Sequence, residues 1–371
     1  MSLGDKRLRV GVAGAAAVVA GGVVFGVIQS VPANPPTAQA ATVTNAAGDP
    51  ATWSARRLAA ELVLAGVSAR STSSAKSWAQ KGIAGIVLFG SPPSKLRSAL
   101  NAVRDRSPQR RLIVASDEEG GMVQRLSALT GRMPSAATIG RTKTPAQTRQ
   151  LARTYGKRMK KLGVNSDLAP VADLLYPGSF TANDQRAFKS NPQANAKYVV
   201  AFMRGLQDAG VSATVKHWPG GGAVADTHVG AGRAPQWSVL QTRDLVPFKA
   251  AFSAGVASVM VGHARVPGLT GSLPSSQSPK AYRAVRQQAG DQIVVMTDSL
   301  AMAAVTKSLK QDQAEAAIRA LKAGADLALI QDISPTYVIN QIATAIRTGE
   351  INKTQAIASA RRVLALQTHY R

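Results

Sequence analysis

Thr214-Val215-Lys216-His217-Trp218-Pro219-Gly220-Gly221-Gly222-Ala223-Val224-Ala225-Asp226-Thr227-His228 decides how the rest of the chain is read. The run Val211–Val215 has the apolar, β-branched character of a strand. Pro-Gly-Gly-Gly then ends it, because neither a strand nor a helix continues through that sequence. Two of the four histidines of the chain fall in this segment, one directly after a lysine and one two residues after an aspartate. A strand that gives way to a Gly-rich loop carrying Asp and His predicts a position at the C-terminal mouth of a parallel barrel.

The pattern around this stretch repeats. Apolar runs read as strands at Leu62–Val67, Ile83–Phe89, Leu112–Ser116, Val164–Leu168, Val211–Val215, Ser258–Val261, Ile293–Thr297 and Asp326–Ile330. Helical stretches separate or follow them at Ser94–Arg106, Thr144–Leu162, Asn191–Ala209, Leu240–Ala254, Pro279–Ala289, Gln311–Ala323, Thr336–Thr348 and Lys353–Leu366. Apolar strands alternating with helices imply a parallel sheet covered on both faces. Eight such units predict an α/β fold, a single (β/α)8 TIM-type barrel with Val, Ile and Leu filling its interior. No Pro/Gly/Ser-rich linker divides the chain after residue 52, so residues 53–371 are expected to form one domain.

The chain has 371 residues, 45% hydrophobic, and a formal net charge of +25. Lys6, Arg7 and Arg9 precede an apolar run from Val10 to Ile28, and Ala38-Gln39-Ala40 follows. That is the order of a secretory signal, predicted over residues 1–40, with residues 41–52 as a flexible leader. The apolar run is also long enough for a retained membrane anchor. Cleavage after Ala40 removes Lys6, Arg7, Arg9 and Asp5 and leaves +23. The sequence contains no cysteine, which excludes disulfides, Cys-ligated metals and a lipid anchor on an N-terminal Cys. Four scattered histidines without an H-x-x-x-H spacing argue against a metal site. Aromatic content is 5% and no nucleic-acid motif appears, so an acidic cell wall is the expected partner of the positive charge.

Polar residues just past barrel strands are the functional candidates. The third strand runs into Asp117-Glu118-Glu119-Gly120-Gly121-Met122-Val123-Gln124-Arg125, and consecutive acids there are costly unless paired or solvated. The fourth leads to Asp173, and the loop beyond carries Asn183-Asp184-Gln185-Arg186-Ala187-Phe188. His263 follows the sixth strand, as a supporting or a core histidine. Asp298 ends the seventh, so its carboxylate is held rigidly at the mouth.

Lys216-His217-Trp218-Pro219-Gly220-Gly221-Gly222 with Asp226-Thr227-His228 resembles the K-H-F-P-G-H-G…D-S-H signature of bacterial β-N-acetylglucosaminidases of glycoside hydrolase family 3. The Asp117–Arg125 segment resembles the family's D-x-E-G-G-R-V-Q-R motif, with Met122 in place of the first arginine. Val294–Met302 resembles its V-x-x-(S/T)-D-x-L-x-M motif, and Ala320–Asp326 its A-l-x-A-G-x-D run. The resemblance covers roughly residues 53–366. It implies Asp298 as nucleophile and a catalytic pair of His228 and Asp226. It also implies substrate contacts by Asp117, Arg125, Arg186, Lys216 and His217, with no cofactor. Asp173 is expected to be structural, paired with a basic neighbour. The string is one residue short between Gly222 and Asp226, which bears on whether His228 reaches the substrate.

The implied activity is that of an exported, retaining exo-β-N-acetylglucosaminidase. It would release terminal GlcNAc from peptidoglycan fragments, working as a secreted or wall-associated monomer with no nucleic-acid partner. The competing readings are a β-glucosidase or phosphorylase of the same family, and a wall-sugar-binding protein with little catalysis.

Overall fold

The structure is a computed structural model and describes residues 48–370 other than 178, 223 and 225. The expected signal segment, residues 1–40, and most of the leader lie outside the described residues. The fold begins slightly before residue 53. Pro50–Thr52 forms a 3₁₀ turn capped by Asp49, whose carboxylate accepts from Arg361 at 2.8 Å. Among the described residues no helix is long and apolar enough to cross a membrane.

Eight parallel strands make the barrel: β1 (Val63–Ser68), β2 (Gly85–Phe89), β3 (Ile113–Ser116), β4 (Ser166–Asp167), β5 (Ser212–Trp218), β6 (Ser258–Val261), β7 (Val294–Thr297) and β8 (Ala328–Ile330). Each pairs with the next in sequence from β1 to β7, and β8 pairs back onto β1 in the register Val63↔Ala328. The circle closes through a parallel bridge between Met296 and Leu327. Every strand predicted from the sequence is present. β5 runs three residues further than expected, so Lys216 and His217 lie within the strand and not after it.

The helices around the barrel include α1 (Ala55–Glu61), α2 (Ser73–Gln80), α3 (Leu96–Arg104), α4 (Pro145–Leu162), α5 (Pro192–Asp208), α6 (Leu245–Ser253), α7 (Pro279–Ala289), α8 (Gln313–Ala323), α9 (Pro335–Arg347) and α10 (Lys353–His369). Several begin where the sequence supplies a cap: Thr144, Asn191, Ser278, Asp312, Ser334 and Asn352 each accept a first-turn N–H. The helix expected over Leu240–Ala254 is two, Trp237–Thr242 and α6. Pro247 is the reason, since a proline there lacks the N–H and crowds the carbonyl four residues back.

The period-two alternation of the strands sorts their side chains into two cores. Val63, Ala65, Val67, Ile86, Leu88, Val114, Val215, Val259 and Val295 face the helices. Leu64, Val87, Ile113, Leu168, Met260, Val294, Met296 and Leu329 fill the interior. The interior is less purely aliphatic than expected, because Thr214 and Ser258 are buried there with their hydroxyls 2.7 Å apart. Val363 and Leu366 of α10 and Tyr370 just after it join the interior cluster, and Gln367 donates to the carbonyl of Ala84 just ahead of β2. The C-terminal helix therefore closes the end of the barrel where the strands begin.

Asp326, at the entry to β8, ties this closure together. It is fully buried and accepts from the amide of Val295, from Ser359 and Arg362 of α10, and from Arg286 of α7. Asp326→Ala strands two largely buried guanidinium groups, so a loss of about 3–5 kcal/mol in folding stability is expected. Urea denaturation measures it, and a loss below 1 kcal/mol would show that Asp326 does not hold the closure.

Candidate active site

A charged network starts at the ends of β3 and β5. Lys216 points into the barrel mouth from β5 and is buried. Its Nζ lies 2.7 Å from Asp117 Oδ1 and 2.7 Å from Glu119 Oε1. Arg186, on the loop after β4, holds Glu119 with two parallel bonds of 2.8 and 2.9 Å. Burial alone would keep Glu119 protonated, but Lys216 and Arg186 more than reverse that and hold its pKa well below the usual carboxylate range. Burial lowers the pKa of Lys216, yet Asp117 and Glu119 overcome it and push the ammonium up to about 12. Arg125 is looser, 4.0 Å from Asp117.

Glu119 sits on a short hairpin that the sequence reading missed, Glu118–Gly120 against Val123–Gln124. Gly120 adopts φ +88°, and a Cβ there would lie 2.3 Å from the carbonyl oxygen of Pro134. Only glycine permits this turn, which aims Glu119 at Lys216. Arg186 was expected on the substrate and does line the cavity, but its guanidinium is engaged by Glu119. The signal for Glu119 was present in the three consecutive acids, since one of them had to find a buried cation.

Asp173 follows β4 and is fully buried. It accepts from the backbone and Nδ1 of His217, at 3.2 and 2.8 Å, and from the amide of Gly221 at 2.6 Å. The His217 ring is thus fixed in one orientation, and the start of the Gly-rich loop is tied to the same carboxylate. Its basic neighbour is His217.

Asp298 stands at the end of β7 and is buried. Burial pushes its pKa up, but the pull of His217 and His263, with a 2.7 Å bond from the amide of Ser299, more than offsets this and leaves the carboxyl below its ordinary value. His263 is buried between Ser276 Oγ at 2.7 Å and the Ser299 carbonyl at 2.8 Å. The carbonyl contact fixes Nε2 as the donor, so Nδ1 accepts from Ser276. Burial lowers the pKa of this ring. His263 therefore supports the Asp298–Ser299 turn from beneath.

The Gly-rich loop carries Asp226 and His228 over the mouth. Asp226 Oδ1 takes both the backbone N–H of His228, at 2.9 Å, and its Nδ1, at 2.7 Å. The loop rests on the segment after β7, where Ala304 donates its amide to the carbonyl of Thr227 at 3.2 Å. Gly222 passes so close to Leu174 that a Cβ would lie 2.3 Å from its carbonyl oxygen. Despite its missing residue, the loop brings His228 to the same cavity as Asp298. That cavity has a volume of about 600 Å³, and Asp117, Arg125, Arg186, Lys216 and His217 also line it. Asp226 stands behind His228. Among the described residues no group of three His, Asp or Glu side chains is placed to hold a metal ion.

Comparisons with known proteins follow this geometry. A family model described as the glycosyl hydrolase family 3 N terminal domain matches residues 56–366. The chain is 35% identical to beta-hexosaminidase LpqI of Mycobacterium tuberculosis over 98% of its own length and 97% of the relative's. A glycosyl hydrolase of the same family from Mycobacterium smegmatis superposes with a TM-score of 0.80 at 36% identity, over 86% of this chain and 98% of that one. A β-N-acetylglucosaminidase of glycoside hydrolase family 3 from Paenibacillus sp. gives 0.79 at 27% identity, over 85% of this chain and 62% of that one.

Glu118, beside the network on the same hairpin, provides a pH test of burial at this end of β3. It is buried, accepts from Ser116 and Leu126, and burial raises its pKa from 4.5 to about 7. Between those values the folded chain keeps a proton that the unfolded chain has released. Stability from this group therefore falls as pH rises through that window, by about 3 kcal/mol in all. Glu118→Gln removes the titration. Urea midpoints at about pH 5 and pH 8 are expected to lie closer together in the variant than in the wild type. An unchanged gap would rule out this titration.

Proposed function

The chain belongs to glycosyl hydrolase family 3, and from that premise we propose that it is an exported, retaining exo-β-N-acetylglucosaminidase acting on terminal β-linked GlcNAc of wall fragments. The observation that carries the proposal is the pairing of Asp298 with the Asp226–His228 pair across one cavity. Asp298 is kept ionised although buried, as a nucleophile requires. Asp226 holds Nδ1 of His228, which leaves Nε2 as the atom that gives and takes a proton.

In the first step Asp298 attacks the anomeric carbon, and His228 gives its Nε2 proton to the departing glycosidic oxygen. The leaving sugar carries that proton away, and a glycosyl ester on Asp298 remains. In the second step neutral His228 takes a proton from water, the water oxygen attacks the anomeric carbon, and the Asp298 carboxylate is released. Two displacements at one carbon retain its configuration. Using histidine avoids a second anion beside the glycosyl ester. Asp117, Lys216 and Arg186 form a prepositioned polar cradle for sugar hydroxyls, and Arg125 closes its rim.

Export is supported by the basic, apolar and Ala-x-Ala order of residues 1–40, and the wall as partner by the net charge of +25. The direct test is turnover of a chromogenic β-GlcNAc beside the matching β-glucoside, with and without phosphate. The expected result is hydrolysis of the former, indifferent to phosphate. Preference for the glucoside, or dependence on phosphate, would overturn the assignment.

Asp298→Ala is expected to abolish turnover while leaving the thermal transition nearly in place, since Asp298 lies at the mouth. Ordinary turnover by this variant would end the proposed mechanism.

His228→Ala separates the two steps. A nitrophenolate departs with little protonation, whereas a sugar alkoxide needs a proton. The variant is therefore expected to lose far more activity on natural disaccharides than on activated glycosides. With activated substrates it accumulates the glycosyl ester, and azide, which attacks without a base, speeds turnover. Wild-type behaviour on both substrates would remove His228 from the reaction.

A further inference from the structure

Away from the mouth, a groove of about 520 Å³ runs over the outside of the barrel between the Trp237–Thr242 helix, α6 and α7. Its chemistry is unusual in three respects. Lys249, Lys280 and Arg283 line it, and no carboxylate does. None of the three cations has an ion-pair partner among the described residues. Three glutamines, Gln241, Gln287 and Gln288, stand among them, and Oε1 of Gln288 is buried without a hydrogen-bond partner.

The groove also has an apolar wall. Trp237 is partly exposed along it and is anchored on its other side by the fully buried Trp218, ring centroids 5.9 Å apart. Lys280, Arg283 and Gln287 recur at i, i+3 and i+7, so they share one face of α7. The opposite face is packed through Ala281, Tyr282 and Val285. The polar row is therefore positioned by a helix packed on its other face and is not a frayed surface.

Each part matches one feature of an acidic sugar chain. An indole offers a flat apolar surface to the C–H face of a pyranose ring. Amide side chains both donate and accept, as neighbouring hydroxyls require, and those of Gln241 and Gln287 are exposed to do so. Ammonium and guanidinium groups complement carboxylates, the latter through its planar fork. A nucleic-acid strand would call for several aromatic platforms in series, and this groove has one. We propose that the groove binds a carboxylated glycan chain outside the active site. It would tether the protein to an acidic polysaccharide while the cavity handles another chain end.

Binding of an oligogalacturonate to the full chain tests this, beside a neutral cello-oligosaccharide of equal length and a single-stranded oligonucleotide of equal charge. The acidic glycan is expected to bind in preference to both. In the double variant Lys280→Glu, Arg283→Glu its affinity falls about tenfold or more, and Gln287→Ala weakens it further. Turnover of the chromogenic β-GlcNAc is unchanged in both variants. Equal binding by the double variant, or by either control polymer, would overturn the proposal. The chromogenic assay reports on the cavity separately, so failure of one reading leaves the other intact.

Discussion

The ammonium of Lys216 is the constraint on which the mouth of the barrel depends. It leaves water to sit between Asp117 and Glu119, and a buried cation is tolerated only when such partners are supplied. Those partners come from the end of β3, so the contact joins two strands that do not pair directly and fixes them and a hairpin against each other. Arg186 completes the network by clamping Glu119, which draws the loop after β4 inward. The four groups are balanced in charge. A sugar bound there would meet donors and acceptors already oriented by one another, which lowers the entropy lost on binding.

A second arrangement keeps a buried carboxylate ionised. Asp298 is as enclosed as a core residue, yet its ionised form is favoured by the electrostatics of His217 and His263 and by the amide of Ser299. His217 is itself held by Asp173. The path from Asp173 to His217 to Asp298 therefore joins β4, β5 and β7 in one electrostatic unit, and His263 supports it from β6.

Most of the fold was legible because the barrel strands are short apolar runs broken by turn residues, a pattern that survives in one sequence. Helix starts were equally readable from Thr144, Asn191 and Ser278. The split at Pro247 was missed although its cause lies in the sequence. Of the catalytic and substrate-contact residues singled out at the mouth, all but Asp226, which stands behind His228, line one cavity, because each stands at a strand end or in a loop beside one. What could not be read were the pairings. That Glu119 and not Glu118 meets Lys216 depends on a glycine turn and on the registers of β3 against β4 and of β4 against β5. The reach of the shortened loop was illegible for the same reason. It is decided by where Thr227 finds Ala304 and by how closely Gly222 passes Leu174, and both are contacts between distant parts of the chain.

The floor of the cavity has a further consequence. Leu168, Met260 and Leu329 line it and also belong to the packed interior that α10 closes from the other side. The cavity is therefore closed at its base. Under the exo action proposed above, a polymer offers it only a terminus, so the length of the chain outside is invisible to the reacting centre. What is cut free must leave by the way it came, before the next end can enter. Processing of a long strand under this geometry is a queue of separate visits, and anything that holds the strand nearby shortens the wait between them.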